Sequence, residues 1–154
     1  MSSQRKIPDY SVVTCFIEYN ERVLILKRAK QDSQYGLWGV PGGKLEKGEA
    51  PIAGLCRELK EELSFEINPN EIISLASTPM QNKCDGHYLL YLYCVKLHRA
   101  PVIKLNSIEH SECAWVSISK FKDYPLLFCQ GAAFDLIKDK LKNELNKTKE
   151  GTYV

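Results

Sequence analysis

Three glutamates, Glu58, Glu61 and Glu62, fall within five residues of one segment, "RELKEEL" at 57–63. At about 100° per helical residue they share a sector of about 100° beside an apolar stripe, facing out of the core with their like charges close together. Arg57 stands four residues before Glu61 and is spaced to pair with it, but one guanidinium does not offset three carboxylates. Lys60 points away from the group. A solvated charged face is the plain explanation. The alternative is that a divalent cation offsets the repulsion, and hard carboxylate oxygens suit Mg²⁺ or Mn²⁺.

The elements that must position these groups are legible in the hydrophobic pattern. Ile52, Leu55, Cys56, Leu59 and Leu63 recur at helical spacing, and Pro51 suits the first helical position, so the spacing predicts an amphipathic helix over 52–63. Before it, "LWGVPGGKLEKGE" at 37–49 is rich in Gly and Pro and reads as a shaped loop. Upstream, "YSVVTCFIEY" at 10–19 reads as a strand, Asn20-Glu21 as a turn and 22–29 as its hairpin partner. Downstream come a turn at 68–70 and strands at 71–78, 87–97 and 112–118, with Pro79 ending the first of these. The strand at 87–97 is nearly continuous in apolar character, as expected when both faces are covered. A last helix over about 126–146 would bury Phe134, Ile137, Leu141 and Leu145 along one stripe.

A chain of 154 residues with this α/β order implies one domain, over 10–146, with a flexible N-terminus at 1–9 and a frayed tail at 147–154. The formal net charge of +2 is too balanced to argue for a nucleic-acid polymer or an anionic membrane surface as partner. The start of the chain lacks a signal-peptide layout and no stretch approaches a membrane span, so a cytoplasmic location is expected. The six cysteines include no CxxC pair. In a reducing compartment most are expected to be small buried hydrophobes, with Cys84, beside Asp85-Gly86, more exposed.

From Gly43 the sequence runs G-KLEKG-E-APIAGLC-R-E-L-K-E-E-L-S-F. This resembles the Nudix box: Gly, five residues, Glu, seven residues, then Arg-Glu-apolar-any-Glu-Glu-any-Gly-apolar. Gly43, Glu49, Arg57, Glu58, Leu59, Glu61, Glu62 and Phe65 match, and Ser64 stands in place of the second glycine. From average residue usage, such a match arises by chance on the order of once in 10⁵ chains. The resemblance implies a single-domain α/β/α sandwich, a mixed β-sheet between helices, with a loop–helix–loop that holds Mg²⁺, or Mn²⁺ in its place. By analogy with the family, Glu58, Glu61 and Glu62 would bind metal with the carbonyl of Gly42. Gly43 would be a structural member of the box, and Glu49 would pair with Arg57 to fix the loop on the helix. The general base would be Glu61 or Glu58, with Glu109 a further candidate, because the family moves that role. Ser64 would have to adopt the left-handed conformation that glycine takes freely, at a cost of about 1 kcal/mol, which bears on the exit loop.

In MutT-like members an acid several residues before a strand-opening Trp supplies an extra metal ligand, and Glu109 sits six residues before Trp115. A basic residue at the end of the second strand reaches the substrate phosphates, which would be Arg28 here. His110 is expected to be an exposed loop residue. Trp38, Tyr88, Tyr91 and Phe128 could stack on a base, although buried aromatics more often serve the core. The resemblance therefore implies a Mg²⁺-dependent hydrolase, one or two copies in its assembly. It would cleave a nucleoside triphosphate, including oxidised deoxynucleotides, to the monophosphate and pyrophosphate. MutT reads 8-oxo-dGTP with an Asn just after the late Pro, whereas "YPLLFCQG" offers only Gln130 further on. One alternative substrate is ADP-ribose or another nucleotide sugar, whose hydrolases often carry a Pro about fifteen residues past the box; Pro79 lies fourteen past Phe65. The other alternative is a nucleotide sensor without turnover, a kind that usually loses box glutamates; all are present here.

Overall fold

The computed structural model describes residues 7–82 and 86–147. Strands β1 (Tyr10–Tyr19) and β2 (Arg22–Arg28) form the predicted hairpin. Asn20 and Glu21 both adopt positive φ, 52° and 67°, the combination whose twist matches that of a hairpin's strands. The two strands pair only near this turn, at Glu18↔Val23 and Tyr19↔Arg22, and then splay apart. Splaying leaves backbone donors and acceptors that must be satisfied. The segment expected as a plain loop satisfies them with two short strands, β3 (Trp38–Gly39) on β2 and β4 (Gly42–Lys44) on β1. Between them, the Cys15 amide donates to the Pro41 carbonyl at 3.0 Å.

The helix α1 (Pro51–Leu63) follows, then β5 (Ile73–Asn82), β6 (Gly86–Lys96), β7 (His110–Ser117) and α2 (Gln130–Leu145). β6 runs parallel to β1 from Tyr10↔Tyr88 to Glu18↔Lys96, while β5 pairs antiparallel with β6 and β7 antiparallel with β2. The sheet is therefore mixed. Alternation along β1 sends Val13, Cys15 and Ile17 to one face, against Leu55, Leu59 and Leu63 of α1. It sends Phe16 to the other face, with Phe134, Ile137 and Leu141 of α2. Both faces are covered, which is why the central strands read as continuous apolar runs, and the architecture is the α/β/α sandwich.

Some boundaries differ from expectation. β5 continues through Pro79 to Asn82, because β5 is an outer strand and a missing amide there need not interrupt the ladder. α2 begins at Gln130, not near 126, because the preceding residues bond elsewhere: the Leu127 amide donates to the Trp38 carbonyl at 2.8 Å, and Cys129 takes φ 68°. Of the cysteines, Cys15 and Cys94 are buried, Cys56 and Cys129 are half-buried and Cys113 is exposed, so burial is not their common role; all five are free thiols. Cys84, residues 1–6 and residues 148–154 lie outside the described residues. Among the described residues no helix is long and apolar enough to cross a membrane.

α1 ends on Ser64 in the left-handed conformation, φ 56° and ψ 34°, with its amide bonded to the Lys60 carbonyl at 3.0 Å. The chain makes the turn that the second box glycine would make, at a steric cost. Ser64→Gly is expected to raise stability by about 0.5–1 kcal/mol, or about 1–4 °C in Tm for a domain of this size. Thermal melting checks this, with turnover expected to stay unchanged.

Candidate active site

The three helix glutamates are not equivalent. Glu62 is 3% exposed, a correction to the expectation that all three face outward. Its carboxyl lies among Glu58 of the same helix and Arg28, Gly42 and Glu109, which other elements bring to it. The segment before β7 crosses the end of α1, where the Lys104 amide donates to the Leu63 carbonyl and the Asn106 amide to the Glu62 carbonyl, each at 2.9 Å. These bonds satisfy carbonyls that a helix end leaves open, and they cover its last turn. The Glu58 side chain is 13% exposed and that of Glu61 53%.

Glu58 and Glu62 line one cavity of about 440 Å³, together with Glu109, Arg28, Gly42 and Gly43. Glu61 does not line it. The absence of a side chain at the two glycines makes room. A Cβ on Gly42 would collide with the Val13 carbonyl, and one on Gly43 with the Glu58 carboxylate. The carboxylates crowd one another. Burial, then the neighbouring Glu61 and Glu109 charges, raise the Glu58 pKa, with Arg57 opposing. Burial pushes the Glu62 carboxyl well up. Glu58 and Glu109 add to the rise, and Arg28 and the Gly42 amide oppose it. The Oε2 atom of Glu62 is buried without a hydrogen-bond partner.

Arg57 ties the glycine-rich segment to the helix. Its Nε and Nη2 donate to the two oxygens of Glu49, each at 2.8 Å. Its Nη1 donates to Glu58 at 3.0 Å and lies 3.4 Å from Glu61, and Nη2 also reaches the Lys44 carbonyl at 3.2 Å. The Arg57 hydrogen bonds, with the Glu46 amide bond, lower the Glu49 pKa to about 2. A side chain on Gly54 would strike Leu45 and Glu49, so that glycine lets the segment lie against α1. Lysine lacks the planar fork that spans these partners. Arg57→Lys is expected to lower kcat/KM by about 10–100-fold through misplacement of Glu58, measured by steady-state kinetics.

Glu109 arrives from the far side of the chain. Its amide and that of His110 donate to the Asn106 carbonyl at 3.2 and 3.0 Å, and the Ile108 amide donates to Asn106 Oδ1 at 3.1 Å. The Glu109 carbonyl accepts from the Ala29 amide at 2.9 Å. Asn106 thus joins the end of α1 to the loop carrying Glu109; an Asn-initiated turn is its one sequence signal. His110 is 4% exposed, not an exposed loop residue, because it belongs to β7 and pairs with Arg28 across a bulge. Burial, then the Arg28 charge, lower its pKa to about 4. Arg28 Nη1 lies 3.8 Å from Asp32, and its Nε is buried without a partner.

Among the described residues no three acidic, His or Cys side chains already converge into a closed metal cage. The donor set still fits a hard divalent cation. Within it Glu58 and Glu62 have raised proton affinity, and Glu62 Oε2 is buried without a partner, the electrostatic signature of missing positive charge.

The NUDIX domain family matches residues 9–134. This chain belongs to the Nudix family. It is a MutT-like Nudix hydrolase, 32% identical over 116 residues to the CTP pyrophosphohydrolase of Escherichia coli, spanning 75% of this chain and 81% of that protein. It is 30% identical over 95 residues to the 8-oxo-dGTP diphosphatase of Proteus vulgaris, spanning 62% of this chain and 80% of that protein. The crystal structure of a MutT protein from Methanosarcina mazei superimposes with TM-score 0.72 over 92% of this chain and 99% of that one, at 22% identity, a likeness of fold.

In this Nudix hydrolase part of the cavity lining is apolar. Val12, Phe16, Leu90 and Leu92 form it, with Tyr88 and the 62% exposed Phe128. Of the four aromatics singled out in the sequence, Tyr88 and Phe128 therefore border the cavity. Trp38 packs edge-on against Tyr124, 5.5 Å between ring centroids, and Tyr91 lies with the α1-side core. Sequence reasoning passed over Tyr10, Thr14 and Gln34, which also line the cavity. Alternation along β1 placed Tyr10 and Thr14 on one face, but nothing local marked which strand end would border a cavity.

Proposed function

We propose that this Nudix hydrolase cleaves a phosphoanhydride of a nucleoside triphosphate, releasing the monophosphate and pyrophosphate, with Mg²⁺ as cofactor and Mn²⁺ as a substitute. The observation that carries this reading is the mixed lining of one cavity. Carboxylates and Arg28 line it together with apolar and aromatic side chains suited to a nucleobase. The activities named for the Escherichia coli and Proteus vulgaris relatives support it.

Glu58, Glu62 and Glu109, with the Gly42 carbonyl and Glu61 from the helix flank, would hold the cation. When bound, the cation supplies charge neutralisation to the phosphate oxygens and acidifies water. The Arg28 guanidinium, from a residue that lines the cavity, would bind and orient the phosphates. Glu58 is the base we favour. Burial and its acidic neighbours raise its proton affinity, which suits a group that must take a proton from attacking water. Arg57 would hold that carboxylate in place through its 3.0 Å bond. Glu61 and Glu109 are the other candidates.

The test is a product screen with Mg²⁺ over ordinary and oxidised nucleoside triphosphates and nucleotide sugars. Pyrophosphate from the triphosphates is the expected result. AMP from ADP-ribose, with no pyrophosphate from any triphosphate, would move the assignment to nucleotide sugars. Binding without product would make the protein a sensor.

A further inference from the structure

The ladder between β2 and β7 is irregular between Lys27 and Arg28, beside the residue assigned above to the phosphates. From Arg22↔Ser117 to Lys27↔Glu112, each step along β2 is one step back along β7. Continued, that register would set Ser111 opposite Arg28. A β-bulge sets His110 there instead. The exchange has a chemical consequence, because Ser111 is exposed whereas His110 is 4% exposed. Bulges re-aim side chains in this way next to functional sites.

Each member of this cross-strand pair has a buried atom without a partner. On Arg28 it is Nε, a permanent donor, and on His110 it is Nδ1. The Arg28 charge acts on the His110 ring and Asp32 acts in the opposite sense, so the three side chains form one cluster. An imidazole beside a guanidinium that keeps its proton stays neutral, with one acceptor nitrogen. Asp32 lies 3.8 Å from Arg28 Nη1, beyond hydrogen-bond reach, and its Oδ1 takes the Gln34 amide at 2.8 Å. Among the described residues the guanidinium is therefore attracted but not held.

We propose that His110 is a positioning residue for Arg28: its acceptor nitrogen takes the Arg28 Nε–H when a substrate binds, fixing the plane of the guanidinium so that its two outer nitrogens meet the phosphates. The proposal rests on the nucleotide reading above and adds the group that makes its arginine rigid. Hydrogen bonds of this kind are often long before a substrate binds and tighten in the complex. The pairing also satisfies two buried atoms at once. A guanidinium held at Nε presents its Nη groups as a fork, the geometry that suits phosphate oxygens.

His110→Phe keeps a buried ring and removes the acceptor, and His110→Asn keeps an acceptor close to the place of Nδ1. Steady-state kinetics with Mg²⁺ and ATP, GTP, CTP, UTP and 8-oxo-dGTP separate KM from kcat. His110→Phe is expected to raise KM about tenfold with kcat within about twofold. The factor should be the same for every triphosphate turned over, because the phosphates are common to all. His110→Asn should bring KM back to within about threefold of the unaltered protein. In an Arg28→Met background, His110→Phe should change KM by less than about twofold, since its partner is gone. Melting curves check that each variant folds, and His110→Leu replaces the Phe variant if that one does not. An unchanged KM in the Phe variant, or a KM effect that persists without Arg28, overturns the proposal. A fall in kcat with a raised Mg²⁺ requirement would assign His110 to the support of Glu109 and overturns it too. If the triphosphates bind without turnover, the same ratios in calorimetric Kd decide the proposal while the hydrolytic reading fails, and absence of binding removes both.

Discussion

Glu62→Gln is expected to make the cation-free protein more stable and nearly inactive. The substitution keeps the shape of a 3% exposed side chain and removes its charge. In the unaltered protein Glu62 Oε2 is buried without a partner, and burial and the nearby Glu58 and Glu109 carboxylates disfavour its ionised form. Removing an unsatisfied buried charge is expected to gain about 1–3 kcal/mol, several degrees in Tm in the presence of EDTA. The pH dependence has a definite sign. The folded pKa of Glu62 lies above the unfolded value of about 4.3, so its contribution to stability is complete below that value and is lost as pH rises through the folded pKa. The variant and the unaltered protein should therefore melt alike near pH 4 and diverge as pH rises. His110 acts in the opposite sense. Its pKa falls to about 4, so stability present above about 6.5 is lost as pH drops toward 4. Both proteins share that effect and it cancels in the difference. Turnover with Mg²⁺ should fall by about 10³-fold, as expected when several kcal/mol of charge stabilisation is lost. The Tm increment that Mg²⁺ gives the unaltered protein should shrink with it. A variant that is no more stable in EDTA and still responds fully to Mg²⁺ would contradict the role given to Glu62.

Glu61→Gln separates chemistry from folding. The Glu61 side chain is 53% exposed and touches Arg57 at 3.4 Å. Surface substitutions of this kind shift stability by no more than about 0.5 kcal/mol, so Tm should hold. Turnover is expected to fall by about 10³-fold if the outer flank of α1 takes part in holding the cation or accepting the proton. The measurement is kcat under saturating nucleotide and Mg²⁺, with a melting curve on the same preparation. Near-normal rates would confine the reaction to Glu58, Glu62 and Glu109, the carboxylates that line the cavity.

What could be read from the chain alone was whatever local periodicity and spacing encode. The period of Leu55, Leu59 and Leu63 determined α1, and that of Phe134, Ile137, Leu141 and Leu145 determined α2, because a helix buries one stripe wherever it packs. The box spacing brought the family into view, because Gly43, Glu49, Arg57 and Glu58 lie on a loop and a helix that are continuous in sequence. What the tertiary structure decided was the environment of each acid. Glu58, Glu61 and Glu62 look alike in sequence and share one flank. Glu62 is enclosed because residues remote in the chain, Gly42, Arg28 and Glu109, meet around its carboxyl. His110, read as an exposed loop residue, is enclosed by the pairing of β7 with β2. The cavity itself exists because β1 and β2 separate, and Glu109, Arg28 and Gln130 enter it from positions remote in the chain. Helical and strand periods report how a residue sits on its own element. Which flank of that element is covered depends on long-range backbone hydrogen bonds that leave no period behind.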